Sequence, residues 1–187
     1  MATQTIIKDD LRPELARIKR ELQALQGMEI HVGIQGDAGS DLLRIANVHE
    51  YGATIKMTDK MRRYLGAMGL FNDGDGDEKY TPPEGAKKGY VNIPERSFIR
   101  ASYDTGMEEL SKICAAAIRH IYYDGWTAEQ AANSIGAQAV QMTQSFIDAG
   151  IDPPKSKFTQ ERSTQKTPLV DSGRLRESIT WEIEGGG

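Results

Sequence analysis

Residues 107–150 read MEELSKICAAAIRHIYYDGWTAEQAANSIGAQAVQMTQSFIDAG, and this stretch decides the fold because it contains two helical periods in succession. The first apolar stripe, which ends near Asp124 and Gly125, comprises Met107, Leu110, Ile113, Cys114, Ala117, Ile118 and Ile121. The second, with Gly150 as its stop, comprises Ala131, Ile135, Ala139, Met142 and Phe146. Between the two stripes, Thr127 and Gln130 have the spacing of a capping box. We therefore expect a long αα-hairpin packed on a sheet.

The rest of the chain predicts the other layer. Residues 9–26 place an apolar side chain every three or four positions, which indicates a helix that ends at Gly27. Met28–Ile34 alternates apolar and polar side chains and predicts a strand with one buried face. Further predicted elements are helices over residues 40–51 and 61–68, short strands over 54–57 and 90–93, a turn over 169–176, and a last strand over 179–184 in the same sheet. The fold class is α+β: a small, mainly antiparallel sheet packed by helices, in one domain over residues 1–187.

Two long polar stretches interrupt these elements. Residues 72–89 and 151–168 each contain a Pro-Pro pair and several lysines among small polar residues. Long loops in a compact domain are often functional or become ordered on binding, so we expect exposed arms that contact neighbours; plain disordered loops are the alternative. The three glycines at 185–187 predict a disordered C-terminal tail.

Composition limits the classes of function. The chain has 23 Lys and Arg against 27 Asp and Glu, a net charge of −4, so the fold as a whole is not built to grip DNA. Cys114 is the only cysteine and cannot form an internal disulfide. No apolar run approaches the about 20 residues of a membrane span, and the N-terminus lacks the layout of a secretory signal. We expect a cytosolic product, or one that leaves its cell by lysis.

Two segments have residue patterns that are typical of a metal site or of a catalytic site. Asp73, Asp75, Asp77 and Glu84 occupy positions 1, 3, 5 and 12 of a calcium-loop register, but Glu78 stands at position 6, where glycine is needed. An exposed acidic loop therefore explains these residues better.

The sequence LVDSG at 169–173 has the context of an aspartic protease, whose two aspartates share one proton. A single copy would require a dimer, and only 16 residues follow Asp171. The alternative is that Asp171 or Ser172 caps a turn in which Gly173 has a positive φ.

No other constellation predicts catalysis. His31, His49 and His120 lie on three different elements without metal-ligand spacing, and Cys114 lies within an apolar stripe. The glycines at 33, 36 and 39 do not form a dinucleotide fingerprint. We expect no enzyme, no cofactor and no metal site.

Three segments, in order, carry a family resemblance. VGI at 32–34 with IANVHEYGA at 45–53 resembles the opening of phage tail-completion proteins. IPERSFIR at 93–100 is similar to their IPxRxFxR turn, and LVDSGRLRESI at 169–179 resembles their closing LVDTGxLxxSI. These segments occur in the minor tail-component family of lambdoid phages and the virion-morphogenesis family of Mu-like phages. The acidic 72–89 loop and Ser172, where threonine is more usual, depart from the family pattern.

The resemblance implies a structural virion protein at the head–tail neck, made and assembled in the host cytoplasm. Such a protein completes the tail end or joins it to the head connector by forming a ring around the tail axis. Its partners would be further copies of itself, the connector or head-completion proteins, and the tail terminator or tube proteins. Membranes would not be involved, and DNA would pass only as cargo. A tail terminator that sets tail length is the alternative.

The motif residues also have structural explanations. Gly52 suits a chain reversal, His49 suits the negative end of a helix, and Phe98 suits the core. Arg96 and Arg100 are expected in solvent or at a neighbour. The residues that we single out as interface or structural positions are His49, Glu50, Tyr51, Gly52, Pro94, Arg96, Phe98, Arg100, Asp171, Gly173, Arg174 and Leu175.

Overall fold

The computed structural model describes residues 11–67, 89–155, 169 and 173–185. These residues form helices and short strands, so the α+β class is confirmed. In chain order the elements are α1 (Arg12–Gln26), β1 (Met28–Ile34), a 3-10 turn (Gly36–Ala38), α2 (Ser40–Tyr51), β2 (Ala53–Lys56), α3 (Asp59–Ala67), β3 (Tyr90–Ile93), α4 (Ile99–Tyr123), α5 (Ala128–Ala149), α6 (Arg174–Glu177) and β4 (Ile179–Gly185).

The predicted helical hairpin is confirmed as α4 packed against α5. Its connection contains the predicted capping box: Gln130 N donates to Thr127 Oγ1 over 3.2 Å, and Thr127 N donates to Gln130 Oε1 over 3.0 Å. Helix α4 begins at Ile99, eight residues before the first residue of the predicted stripe at Met107. Its first turns are held by a partner distant in the sequence, described below.

The strands form two separate antiparallel pairs rather than the single sheet that the sequence predicts. In the first pair β1 runs beside β4, with Ile30 opposite Ile183 and Val32 opposite Trp181. In the second pair β2 runs beside β3. Alternating polarity determines which face of a strand is buried, but not which strand lies next to it, so the sequence pattern could not separate the two pairs. Gly185 pairs with Met28, so the tail predicted over 185–187 is wrong at its first residue.

The core consists of two clusters. One, between α2, α5, α6 and β4, contains Leu42, Ala46, Phe98, Val140, Ile147, Ile151, Leu175 and Ile179. The other, where α1 meets α4 and α5, contains Ile113, Ala117, Ile121, Ala131 and Ile135. Ile151 is buried, so the second predicted arm does not begin exposed. Residues 72–88 of the first predicted arm and 156–168 of the second lie outside the described residues.

A glycine allows the hairpin to approach the first sheet closely. A Cβ atom added at Gly136 of α5 would overlap the indole ring of Trp181 on β4. Within the described residues, every helix is too short or too polar to span a lipid bilayer.

Candidate functional site

The end of α2 and the start of α4 meet in one buried joint, which brings together two of the three motif segments. Helix α2 ends before Gly52, whose φ of +70° reverses the chain. A Cβ atom at this position would lie 2.9 Å from the backbone nitrogen of Glu95 and 3.0 Å from the carbonyl oxygen of Ile93. The backbone nitrogen of Arg96 donates to the carbonyl oxygen of His49 over 2.7 Å. Glycine is therefore needed here both for its conformation and for this close backbone approach.

The carboxylate of Glu50 is the centre of the joint. Its side chain is only 6% exposed. Oε2 accepts the backbone N–H groups of Phe98 (2.8 Å) and Ile99 (3.1 Å). Oε1 accepts the Ser97 hydroxyl (2.7 Å) and, from Arg100, the backbone N–H (3.1 Å) and Nε (3.0 Å).

Glu50 therefore caps the N-terminus of α4 from another helix. The first N–H groups of a helix have no hydrogen-bond partner within the helix and lie at the positive end of its dipole. A carboxylate accepts their hydrogen bonds and is attracted to that positive end. Burial by itself raises the pKa of Glu50, but the hydrogen bonds from Ser97, Ile99, Arg100 and Phe98 together outweigh it, so the pKa lies below its ordinary value. With five donors on two oxygens, this carboxylate is a structural anion.

Arg100 extends the joint to the surface. Its Nη2 donates to the carbonyl oxygen of Glu50 over 2.9 Å and to Oε1 of Glu95 over 2.8 Å. The guanidinium carbon lies 4.6 Å from the centre of the Tyr51 ring, in a cation–π contact on an exposed tyrosine. The expectation that Arg100 stays partly in solvent is confirmed, since half of its side-chain surface is exposed.

The expectation that Arg96 is exposed is wrong. Arg96 is 8% exposed, and its Nε and Nη2 donate to the carbonyl oxygens of Pro153 (2.6 Å) and Pro154 (3.0 Å). Burial lowers the pKa of this guanidinium. Arg96 thus binds the segment that follows α5, which explains why Ile151 reaches the core.

The sequence suggests that His49 acts as a cation at the end of α2, but its surroundings disfavour the charged form. Burial, and secondarily the positive charge of Arg96, lower the pKa of the imidazole, which favours its neutral form. Its Nδ1 is buried without a hydrogen-bond partner among the described residues. A cation here would be desolvated and would face a second cation.

The third motif joins the same core from the other side. Gly173 is left-handed with a φ of +77° and precedes α6, as predicted for a turn glycine, while Leu175 is buried in the cluster that contains Phe98. Arg174 is exposed, and Pro94 directly follows β3. Asp171 and the calcium-loop residues 73–84 lie outside the described residues.

A cleft lies beside the first strand pair. It has a volume of about 560 Å³ between β1 and α4, and its walls include Val32, Tyr103, Leu110, Cys114 and Met142. Burial raises the pKa of the Cys114 thiol, which disfavours the reactive thiolate. Among the described residues, no three His, Cys, Asp or Glu side chains are arranged to hold a metal ion.

Sequence reasoning missed four partners in the joint: Ser97, which binds Glu50, Glu95, which binds Arg100, and the carbonyl groups of Pro153 and Pro154, which bind Arg96. A serine three positions before Arg100 is a helix-start signal that could have moved the start of α4 forward. The proline carbonyls carry no sequence signal. Comparisons with protein-family models, with curated proteins and with solved structures find no match to this chain.

Proposed function

We propose that this chain is a structural protein of the head–tail neck of a tailed phage, which completes the tail end or joins it to the head connector as a ring of copies. The proposal begins from the resemblance of three segments to phage tail-completion proteins. On this proposal the protein becomes part of the virion after assembly in the host cytoplasm, catalyses no reaction and lets DNA pass through the ring.

The observation that carries the proposal is the Glu50 joint. Two of the segments that resemble the family lie 47–50 residues apart and are joined by one carboxylate with five donors. The motif residues described here therefore build an architecture instead of an open reactive site.

Electron microscopy of lysates from a phage that lacks the gene tests the proposal. Filled heads beside free tails of normal length are expected for completion or joining. Tails of uncontrolled length would assign the protein to tail termination instead. Normal infectious particles would refute a role in the neck.

Complementation of the same phage separates assembly from proteolysis. The wild-type gene and an Asp171→Asn variant are supplied in trans, and infectious particles are counted. We expect both to restore particles, because the proposed role needs no carboxylate chemistry at Asp171. An Asp171→Asn variant that folds and is inactive would favour the dimeric aspartic protease.

A further inference from the structure

We infer that neighbouring copies in the ring contact each other through two surfaces of opposite charge: the outer face of the β1–β4 pair on one copy and a basic face around α3 on the next. This inference rests on the proposed ring and identifies its subunit contact.

The outer sheet face, defined by Glu29, His31, Glu182 and Glu184, is acidic and exposed. The strand register places Glu29 directly opposite Glu184 and His31 directly opposite Glu182. Neither strand contains a lysine or an arginine. The only cationic type of side chain on this face is His31, whose Nε2 lies 3.5 Å from Glu29 Oε2 and 3.7 Å from Glu184 Oε2.

This arrangement of charges lowers the stability of the β1–β4 pair in a chain that has no partner. Like charges directly opposite each other on an antiparallel pair destabilise it, and Glu29 and Glu184 are about three-quarters exposed, with nothing else on the described face to neutralise them. Such a cost is typical of a surface that serves binding, where a cationic partner relieves the repulsion.

The basic face, defined by Lys56, Lys60, Arg62 and Arg63, has the opposite character. All four side chains are exposed, and the only carboxylate within residues 56–63 is Asp59. Lys60 and Arg63 are three residues apart on α3 and share one side of the helix. None of the four forms an ion pair with a residue that the structure describes.

Charge complementarity identifies a second copy as the occupant. The acidic face lies on the β1–β4 pair, whereas the basic face lies on α3 and the end of β2, and no ion pair joins the two faces within the described part of one chain. Two different patches that meet between copies form a head-to-tail contact, which generates a ring when the rotation closes. Arg17 and Arg20 of α1 are paired with Glu14 and Glu21, and the net charge of the chain is −4. Both observations favour this occupant over DNA.

A charge-swap experiment on the full chain tests the contact. The sheet variant carries Glu29→Lys, Glu182→Lys and Glu184→Lys, and the helix variant carries Lys56→Glu, Lys60→Glu and Arg63→Glu. Sedimentation at about 50 mM salt, where surface charges are weakly screened, compares each variant with wild type. We expect wild type to assemble and each variant alone to associate at least about a hundredfold more weakly, because like charges then face each other.

Mixing gives the decisive result. One variant then presents two basic faces and the other two acidic faces, so the mixture is expected to assemble into alternating rings. A control with Glu108→Lys and Glu109→Lys on the exposed side of α4 changes the net charge in the same direction as the sheet variant but belongs to neither face, and it should assemble like wild type. The single variant Glu29→Lys should raise the melting temperature, because it replaces a repulsive cross-strand pair, while it weakens assembly; misfolding cannot produce that combination.

Three results would overturn the inference: wild type that stays monomeric at low salt, variants that assemble as wild type does, or a mixture that does not assemble. A helix variant that loses binding of double-stranded DNA but still assembles would also overturn it, in favour of a nucleic-acid surface. These outcomes are independent of the phage lysate, in which normal particles would refute the neck function itself.

Discussion

Replacing Glu50 by glutamine should destabilise the fold by about 3 kcal/mol, because a buried cap loses at least two of its acceptor contacts. The amide keeps one oxygen. If that oxygen takes the place of Oε1, an NH₂ group faces the N–H groups of Phe98 and Ile99; if it takes the place of Oε2, three donors lose their acceptor. Each buried donor left unsatisfied costs about 1–3 kcal/mol. The exposed contacts of Arg100 contribute little to this sum.

Urea unfolding followed by circular dichroism measures this effect. With a slope of about 2 kcal/mol per molar, a loss of 3 kcal/mol lowers the midpoint by about 1.5 M. Glu95→Gln is the matched control, since it makes the same chemical change at an exposed partner of the same arginine and should cost less than about 1 kcal/mol. Equal midpoints for Glu50→Gln and Glu95→Gln would refute the view that Glu50 holds the two motifs together.

The pH dependence gives a second test of Glu50. Its pKa in the folded state lies below that of the unfolded chain, so the folded state binds fewer protons in this range. The contribution of the carboxylate to stability is complete above the unfolded value of about 4.3 and is lost as the pH falls through the folded value. Acid unfolding monitored by tryptophan fluorescence should be shallower for Glu50→Gln than for wild type; parallel curves would contradict the assignment.

The remaining predictions concern two glycines and a histidine. Gly136→Ala should destabilise by about 1–3 kcal/mol in urea, because the new methyl group overlaps the rigid ring of Trp181. In the control Gly106→Ala, the new methyl group meets only the flexible end of Met142 and the helix gains propensity, so the urea midpoint should stay level or rise. Equal losses of stability for both variants would show that packing against the Trp181 ring is not the cause. His49→Gln should weaken the pH dependence of the melting temperature between about pH 7.5 and 5.5. The lowered pKa of His49 contributes stability that is present above the unfolded value of about 6.5 and is lost as the pH falls through the folded value. An unchanged pH profile would contradict a buried neutral imidazole.

Local signals predicted most of the helices and strands. The stripes of α4 and α5, the capping box at Thr127 and the reversal at Gly52 all depend on residues within a few positions of each other. Propensity, capping and positive φ act over that range, so the sequence pattern is sufficient. The alternating strands β1 and β4 were predicted for the same reason.

The contents of the joint could not be predicted in this way. A glutamate in the last turn of a helix and an arginine two residues after a proline both indicate solvent exposure, because buried charges are rare unless they are paired. Glu50 and Arg96 are buried because their partners arrive from positions 47–58 residues away. The early start of α4 has the same origin, since Glu50 accepts three backbone N–H groups of its first turn, while the local Ser97 hydroxyl accepts one, from Ala101.

The sequence by itself determined the α+β class, the helical hairpin and the boundaries at which glycine and capping residues act, since these follow from periodicity and from contacts within one turn. Only the tertiary structure decided that the four strands form two pairs, that Glu50 caps α4, and that the acidic strands β1 and β4 pair with each other and not with β2, which carries Lys56. These features depend on which distant segments become neighbours, and that choice is made by the burial of the whole core and not by any single stretch of the chain.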